Sequence, residues 1–156
     1  MGSDSDWPIL KPAYELLKKF DIEAEVIVAS AHRTPARVKE IVTTAPERGV
    51  CAFISAAGAA AHLGGVIASY TTLPVIGVPI NATALNGMDA LLSTVQMPSG
   101  IPVATMAING AKNAAIFVVE MFAISNPELA QKLKEYRQNM VEEVEKKAAR
   151  VEQQLG

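Results

Sequence analysis

Four short apolar runs punctuate the chain up to residue 107: AEVIVA (24–29), VCAFIS (50–55), PVIGVP (74–79) and PVATMA (102–107). Each is rich in β-branched residues and apolar nearly throughout, not at every second position. Strands covered on both faces read this way, whereas a strand with one wet face alternates. Between these runs the period becomes helical. Ile9, Leu10, Ala13, Leu16, Leu17 and Phe20 recur at helical spacing behind Asp6, a candidate N-cap. Pro12 sits deep enough in that stretch to allow a kink. Thr34-Pro35 is a cap followed by a first-turn proline. It opens a helix expected to run to about Gly49, with Pro46 bending its last turn. Residues 62–71, 87–96 and 111–124 are the remaining helical stretches before the C-terminal segment. Strand and helix in alternation imply right-handed crossovers, and so a parallel α/β sheet with helices on both faces.

From Asn126-Pro127 the pattern changes. Leu129, Leu133, Tyr136, Met140, Val144, Ala148, Val151 and Leu155 form one narrow stripe along a helix reaching about Gln154. Such a helix would run roughly 42 Å, more than a small domain needs. Its stripe serves either packing on its own domain or covering a neighbouring subunit. The expected division is a core over residues 1–125 and a C-terminal helix over residues 126–156. A loop beginning at Gly2 would ordinarily follow a buried strand, whose neighbours need its backbone partners. A short strand is therefore expected upstream, with Met1 as its last residue.

Composition narrows the classes. A chain of 156 residues, half of them apolar and 19% charged, can bury a substantial single core. The net charge of −2 gives no reason to expect nucleic acid as a partner. No apolar run is long enough to span a bilayer, and the first residues carry no basic stretch followed by an apolar one. The single cysteine, Cys51, excludes an internal disulfide; inside an apolar run it is expected to be buried and inert. Two histidines, with no CxxC or HExxH spacing, argue against a protein-built metal site. These features fit a cytoplasmic protein.

Three clusters could carry chemistry. In GSDSD (2–6), Gly2 permits a tight turn, and two hydroxyls converge with the free N–H groups of the following helix. A helix N-terminus favours an anion. Asp6 would repel a phosphate, so it suits the hydroxyls of a ribose. An ordinary capping turn uses the same residues. SAHRTP (30–35) follows a strand and precedes a helix, which puts it at the carboxyl edge of the sheet, where open α/β sheets bind ligands. Arg33 can grip a phosphate through two parallel N–H bonds. His32, with a reference pKa near ~6.5, can exchange protons at neutral pH. An exposed His-Arg pair before a capped helix would look the same. In SAAGAAAHLGG (55–65) nothing larger than alanine precedes His62. That leaves room for a small guest beside exposed N–H groups, although tight helix–sheet packing also asks for small residues. Apolar spacing explains the helix within residues 84–115 but not why Gln96, Met97 and Pro98 stand together.

Taken in order, GSDSD, SAHRTP, AAAHLGG with LPVIGVP, ALNGMDALLSTVQMPSGIPVAT and AKNAA resemble the 5-(carboxyamino)imidazole ribonucleotide mutase family of purine biosynthesis, over about residues 1–125. The resemblance implies a three-layer α/β/α fold of the flavodoxin-like or Rossmann-like kind and a homo-octamer. It implies an isomerase that turns 5-carboxyaminoimidazole ribonucleotide into 4-carboxy-5-aminoimidazole ribonucleotide without metal, ATP or biotin. By motif, Ser3 and Asp6 fall on the substrate-binding serine and aspartate, Arg33 on the phosphate-binding arginine, and Ser5 and Ser30 beside it. His32 falls on the catalytic histidine, and His62 on a second histidine lining the pocket. Gly58, Ala59 and Ala60 belong to the loop expected to hold CO₂. Ala56 and Ala59 stand where the family carries glycine, and Gly64 where it carries proline; if a positive φ is needed there, alanine costs about 1 kcal/mol. Two rival activities are direct carboxylation of aminoimidazole ribonucleotide by CO₂, and nucleotide binding by an oligomer without catalysis.

Overall fold

The computed structural model describes residues 1–155. Strands β1 (Phe53–Gly58), β2 (Val75–Ile80) and β3 (Ala104–Thr105) form one parallel sheet in that order. The helices are α1 (Trp7–Lys19), α2 (Pro35–Thr43), α3 (Leu63–Tyr70), α4 (Met88–Val95), α5 (Ala111–Ala123) and α6 (Pro127–Leu155). One compact unit spans Met1–Ile116 and a second begins at Phe117, so α5 belongs to both.

In the first unit β2 is central. It pairs from Phe53↔Val75 to Gly58↔Ile80 on one edge, and at Ile76↔Ala104 and Gly77↔Thr105 on the other. All six of its residues are buried, which is why it reads as an unbroken apolar run. Val38 and Val42 of α2 and Leu63, Ile67 and Ala68 of α3 cluster with Ala29, Val75 and Val103. Met97 packs against this cluster, giving the Gln-Met-Pro segment a structural place. A Cβ on Gly77 would overlap Thr94 Cγ2 and lie 2.9 Å from Val103 Cγ1, so the bare glycine lets α4 close on β2. Ile76 and Val78 alternate to the opposite side and are fully buried. Helix α1 contributes a buried stripe of Leu10, Ala13, Leu16 and Leu17 and continues past Pro12. The result is the α/β/α layering expected.

Several elements depart from the sequence pattern. The run 24–29 makes no strand. Among the described residues it is Met1 that bonds to its backbone: the Met1 nitrogen donates to Ile27 O (2.8 Å) and the Met1 carbonyl accepts from Ala29 N (2.9 Å). Two bonds make no ladder, and Val26 and Val28 stay 47% and 43% exposed. Strand β1 starts at Phe53, opposite Val75, leaving residues 50–52 unpaired in the preceding loop. Cys51 is consequently exposed, its thiol donating to Gly49 O at 3.4 Å, and not buried as its apolar surroundings suggested. Of residues 102–107, Ala104 and Thr105 form the paired strand, and Met106 N donates to Gly77 O at 2.8 Å. The helix expected to reach Gly49 stops at Thr43. Pro46, lacking an N–H, begins a separate 3-10 turn that Gly49 ends at φ +77°.

In the second unit, α6 has 29 residues. Leu129 is buried and Leu133 and Tyr136 are half-buried, but every described residue from Arg137 onward is exposed. Arg137 pairs with Glu120 of the same unit. Among the described residues, no helix is long and apolar enough to cross a membrane.

Candidate functional site

At the carboxyl end of β1 and β2 lies a cleft of about 330 Å³. Ser3, Ser5, Asp6, Ser30, His32, Arg33, Gly58, Ala59 and Ala60 line it, together with Gly2, Ala31, Ala57, Leu63 and Ala82. The three clusters singled out in the sequence, far apart along the chain, thus meet in one cavity.

The first wall is the 2–6 loop. Gly2 N donates to Ala56 O (3.0 Å), fastening the loop to β1. Ser3 caps a single 3-10 turn, Asp4–Asp6: Ser3 Oγ accepts from Ser5 N at 3.3 Å, and Ser3 N donates to Asp6 Oδ2 at 3.0 Å. The Asp6 side chain therefore does not cap α1 as expected, but turns back into the loop. It is only 4% exposed. Burial raises its carboxyl above the ordinary range, against the lowering effect of N–H groups from Ser3 and Gly2 and of the positive amino end. The Ser3 and Ser5 hydroxyls lie 2.8 Å apart.

The second wall is the 30–33 turn. Thr34 Oγ1 donates to Ser30 O (3.1 Å) and accepts from Ser30 N (2.9 Å), closing the turn ahead of α2. Ser30 Oγ accepts from Arg33 N at 3.2 Å. The Arg33 guanidinium crosses to the first wall, donating through Nη2 to Gly2 O at 3.3 Å, with Nε 3.5 Å from Ser30 Oγ. Three hydroxyls, a guanidinium and the start of α1 make a donor-rich corner suited to a phosphate.

The third wall is the small-residue turn after β1. A Cβ on Gly58 would stand 2.6 Å from Ala82 Cβ, so only glycine fits there. Ala59 has φ +52°, the left-handed conformation that glycine takes without penalty. Of the departures from the family pattern, this is the one that strains the backbone. Ala56 sits fully buried in β1, and a side chain at Gly64 would make ordinary contacts at 3.5 Å. His62 ends the turn, directly before α3. Its Nδ1 lies 2.9 Å from His32 Nε2, with the rings edge-on at 5.0 Å and 85°. One nitrogen donates and the other accepts, so each imidazole sets the other's tautomer. His62 joins the cleft through this contact with His32, which lines it. Sequence reasoning also missed Ala82 and Ser93, which accepts from Ala61 N at 2.9 Å. Nothing local distinguished either residue.

A donor-rich corner, a pocket of small residues and a pair of facing imidazoles meet at the carboxyl edge of a parallel sheet, the place where open α/β enzymes bind their ligands. Residues 1–143 match the family model described as AIR carboxylase, and the chain belongs to that family. The N5-carboxyaminoimidazole ribonucleotide mutase of Thermotoga maritima is 54% identical over 153 residues, 98% of this chain and 90% of that one. The mutase of the same description from Pyrococcus horikoshii is 54% identical over 153 residues, 98% of this chain and 86% of its own. The crystal structure of Treponema denticola PurE superposes with a TM-score of 0.83 at 27% identity, covering 94% of this chain and 91% of that one.

Proposed function

We propose that this chain is a mutase that converts 5-carboxyaminoimidazole ribonucleotide to 4-carboxy-5-aminoimidazole ribonucleotide, with Arg33 and the serines holding the phosphate and His32 moving the proton. Asp6 accepts from the ribose hydroxyls. Protonated His32 gives its proton to the exocyclic nitrogen as the N–CO₂ bond breaks, leaving CO₂ and the 5-amino group. Carbon 4, nucleophilic like an enamine, then bonds to the CO₂ carbon. Neutral His32 takes the carbon-4 proton, which restores the aromatic ring and returns the enzyme to its starting state. No net proton is consumed. Between the two steps the enzyme's task is retention: the turn at Gly58, Ala59 and Ala60 keeps CO₂ beside carbon 4. Holding reactants in register supplies up to about 7–11 kcal/mol in the best model cases. The phosphate grip, remote from the reacting atoms, fixes the ring's orientation.

The observation that carries this reading is convergence. His32 and Arg33 are adjacent in sequence, yet one meets His62 and the other reaches Gly2 across a single cleft. A carbamate-to-carboxylate conversion assay on the purified chain tests it. His32→Asn lowers kcat by about 10²–10⁴-fold while leaving nucleotide binding intact. Arg33→Ala raises KM by about tenfold or more. Near-normal turnover of His32→Asn rules out the proton role. Faster product formation from aminoimidazole ribonucleotide plus bicarbonate than from the carbamate would mark direct carboxylation instead.

The working form is a homo-octamer in the cytoplasm, with no nucleic-acid or membrane partner. Assembly is supported by an unpartnered apolar face. Met88, Leu92 and Val95 lie on one side of α4 with Leu85 just ahead of them, all between 46% and 63% exposed.

A further inference from the structure

We propose that Ser93 is a positioning residue that clasps the turn holding CO₂; this rests on the retention step above. Ser93 stands on the second turn of α4, and its neighbour Thr94 is buried against the bare backbone of Gly77. A serine hydroxyl has one proton to give. Here it goes back to the carbonyl of Asp89, one helical turn earlier, at 2.7 Å. That bond fixes the side chain and turns a lone pair outward, where it accepts the Ala61 N–H at 2.9 Å. Ala59 O is also 3.3 Å from the hydroxyl, so one oxygen touches both ends of the turn.

The turn needs an outside hold. Ala59 is strained at φ +52°, and Ala61 N and His62 N close only tight contacts within it, to Ala59 O (2.9 Å) and Ala60 O (2.8 Å). Such geometry persists when its surroundings impose it. Ser93 ties this turn to α4. α4 is itself set by its close fit on β2. The clasp therefore passes the position of the sheet to Ala59, Ala60 and His62. Without it the small-residue wall can open outward, and the guest released between the two chemical steps can leave.

The test follows the carbon. The carbamate substrate carries ¹³C in its carboxyl group and reacts in unlabelled bicarbonate, and ¹³C in the product carboxylate is read by mass spectrometry after correction for loss without enzyme. The unaltered enzyme retains the label. Ser93→Ala loses it about fivefold more often, with its affinity for aminoimidazole ribonucleotide unchanged. Ser93→Thr, which keeps the oxygen, restores retention. A residue that merely supported the fold would lower stability or kcat without changing where the carbon goes. Equal retention in Ser93→Ala overturns the proposal. Should that variant fail to fold, Ser93→Cys, a weaker acceptor of similar size, takes its place, and full retention there overturns the proposal equally. If the unaltered enzyme itself loses the label, it is the retention step that fails. The clasp is then judged by hydrogen exchange: the Ala61 amide exchanges about tenfold faster in Ser93→Ala if Ser93 holds the turn, and at the same rate if it does not.

Discussion

Ala59 and Asp6 each hold a position their chemistry disfavours. At φ +52° Ala59 carries a Cβ where glycine has none, in the wall of the cleft. Ala59→Gly relieves that strain and raises stability by about 1 kcal/mol, read as a shift in the urea midpoint at fixed protein concentration. An unchanged or lowered midpoint would show that the surrounding bonds remove the strain. Asp6 is buried, and its proton is held more tightly in the folded chain than in the unfolded one. The stability this proton gives is fully present below the unfolded value of about 3.9 and is lost as pH rises through the raised folded value. The melting temperature of the Asp6→Asn variant relative to the unaltered protein therefore climbs from about pH 4 toward neutrality. A difference that falls with pH would mean that the Ser3 and Gly2 N–H groups outweigh burial. Both effects live at single residues, yet only one was legible beforehand. The glycine position was visible in the motif, whereas the burial of Asp6 depends on how the 2–6 loop folds back.

Among the elements, helices were read more closely than strands. Helices α3, α4 and α5 begin and end within a residue or so of the stretches that helical spacing marks, because that signal is carried by the helix's own residues. A strand is defined by its neighbours. The run 24–29 has the composition of a buried strand but makes two bonds to Met1 and no ladder, and β1 is shifted to the register that pairs Phe53 with Val75. Cys51 was misplaced for the same reason. The docking of α4 shows how an element interface rests on one missing side chain. Gly77→Ala pushes a methyl into Thr94 and Val103, and overpacking of this kind costs about 1–3 kcal/mol in thermal or denaturant unfolding. Unchanged stability would mean that α4 can slide away from β2 freely.

For the molecule as a whole, two described surfaces stay exposed: the apolar side of α4 in the first unit and α6 beyond Tyr136 in the second. In the assembly proposed above, the first is a contact between copies. Leu92→Glu places a charge in that contact, and light scattering then reports a species of lower mass than the unaltered protein. An unchanged mass would exclude the α4 face from the contact. For α6, the narrow stripe left two uses open. Among its described residues burial ends at Tyr136, and Met140, Val144, Ala148, Val151 and Leu155 are exposed.

Legible in the residues alone were the alternation of strand and helix from Phe53 on, the apolar central strand, and which short motifs carried donors, carboxylates and imidazoles. These are local properties, written in side-chain type and period. Packing in three dimensions was needed to bring Gly2, Arg33 and Gly58 to one cavity, to set His62 against His32, and to put Ser93 on Ala61. Those facts depend on strand register and helix placement. Both are set by the packing of residues distant in sequence, and no single segment encodes them.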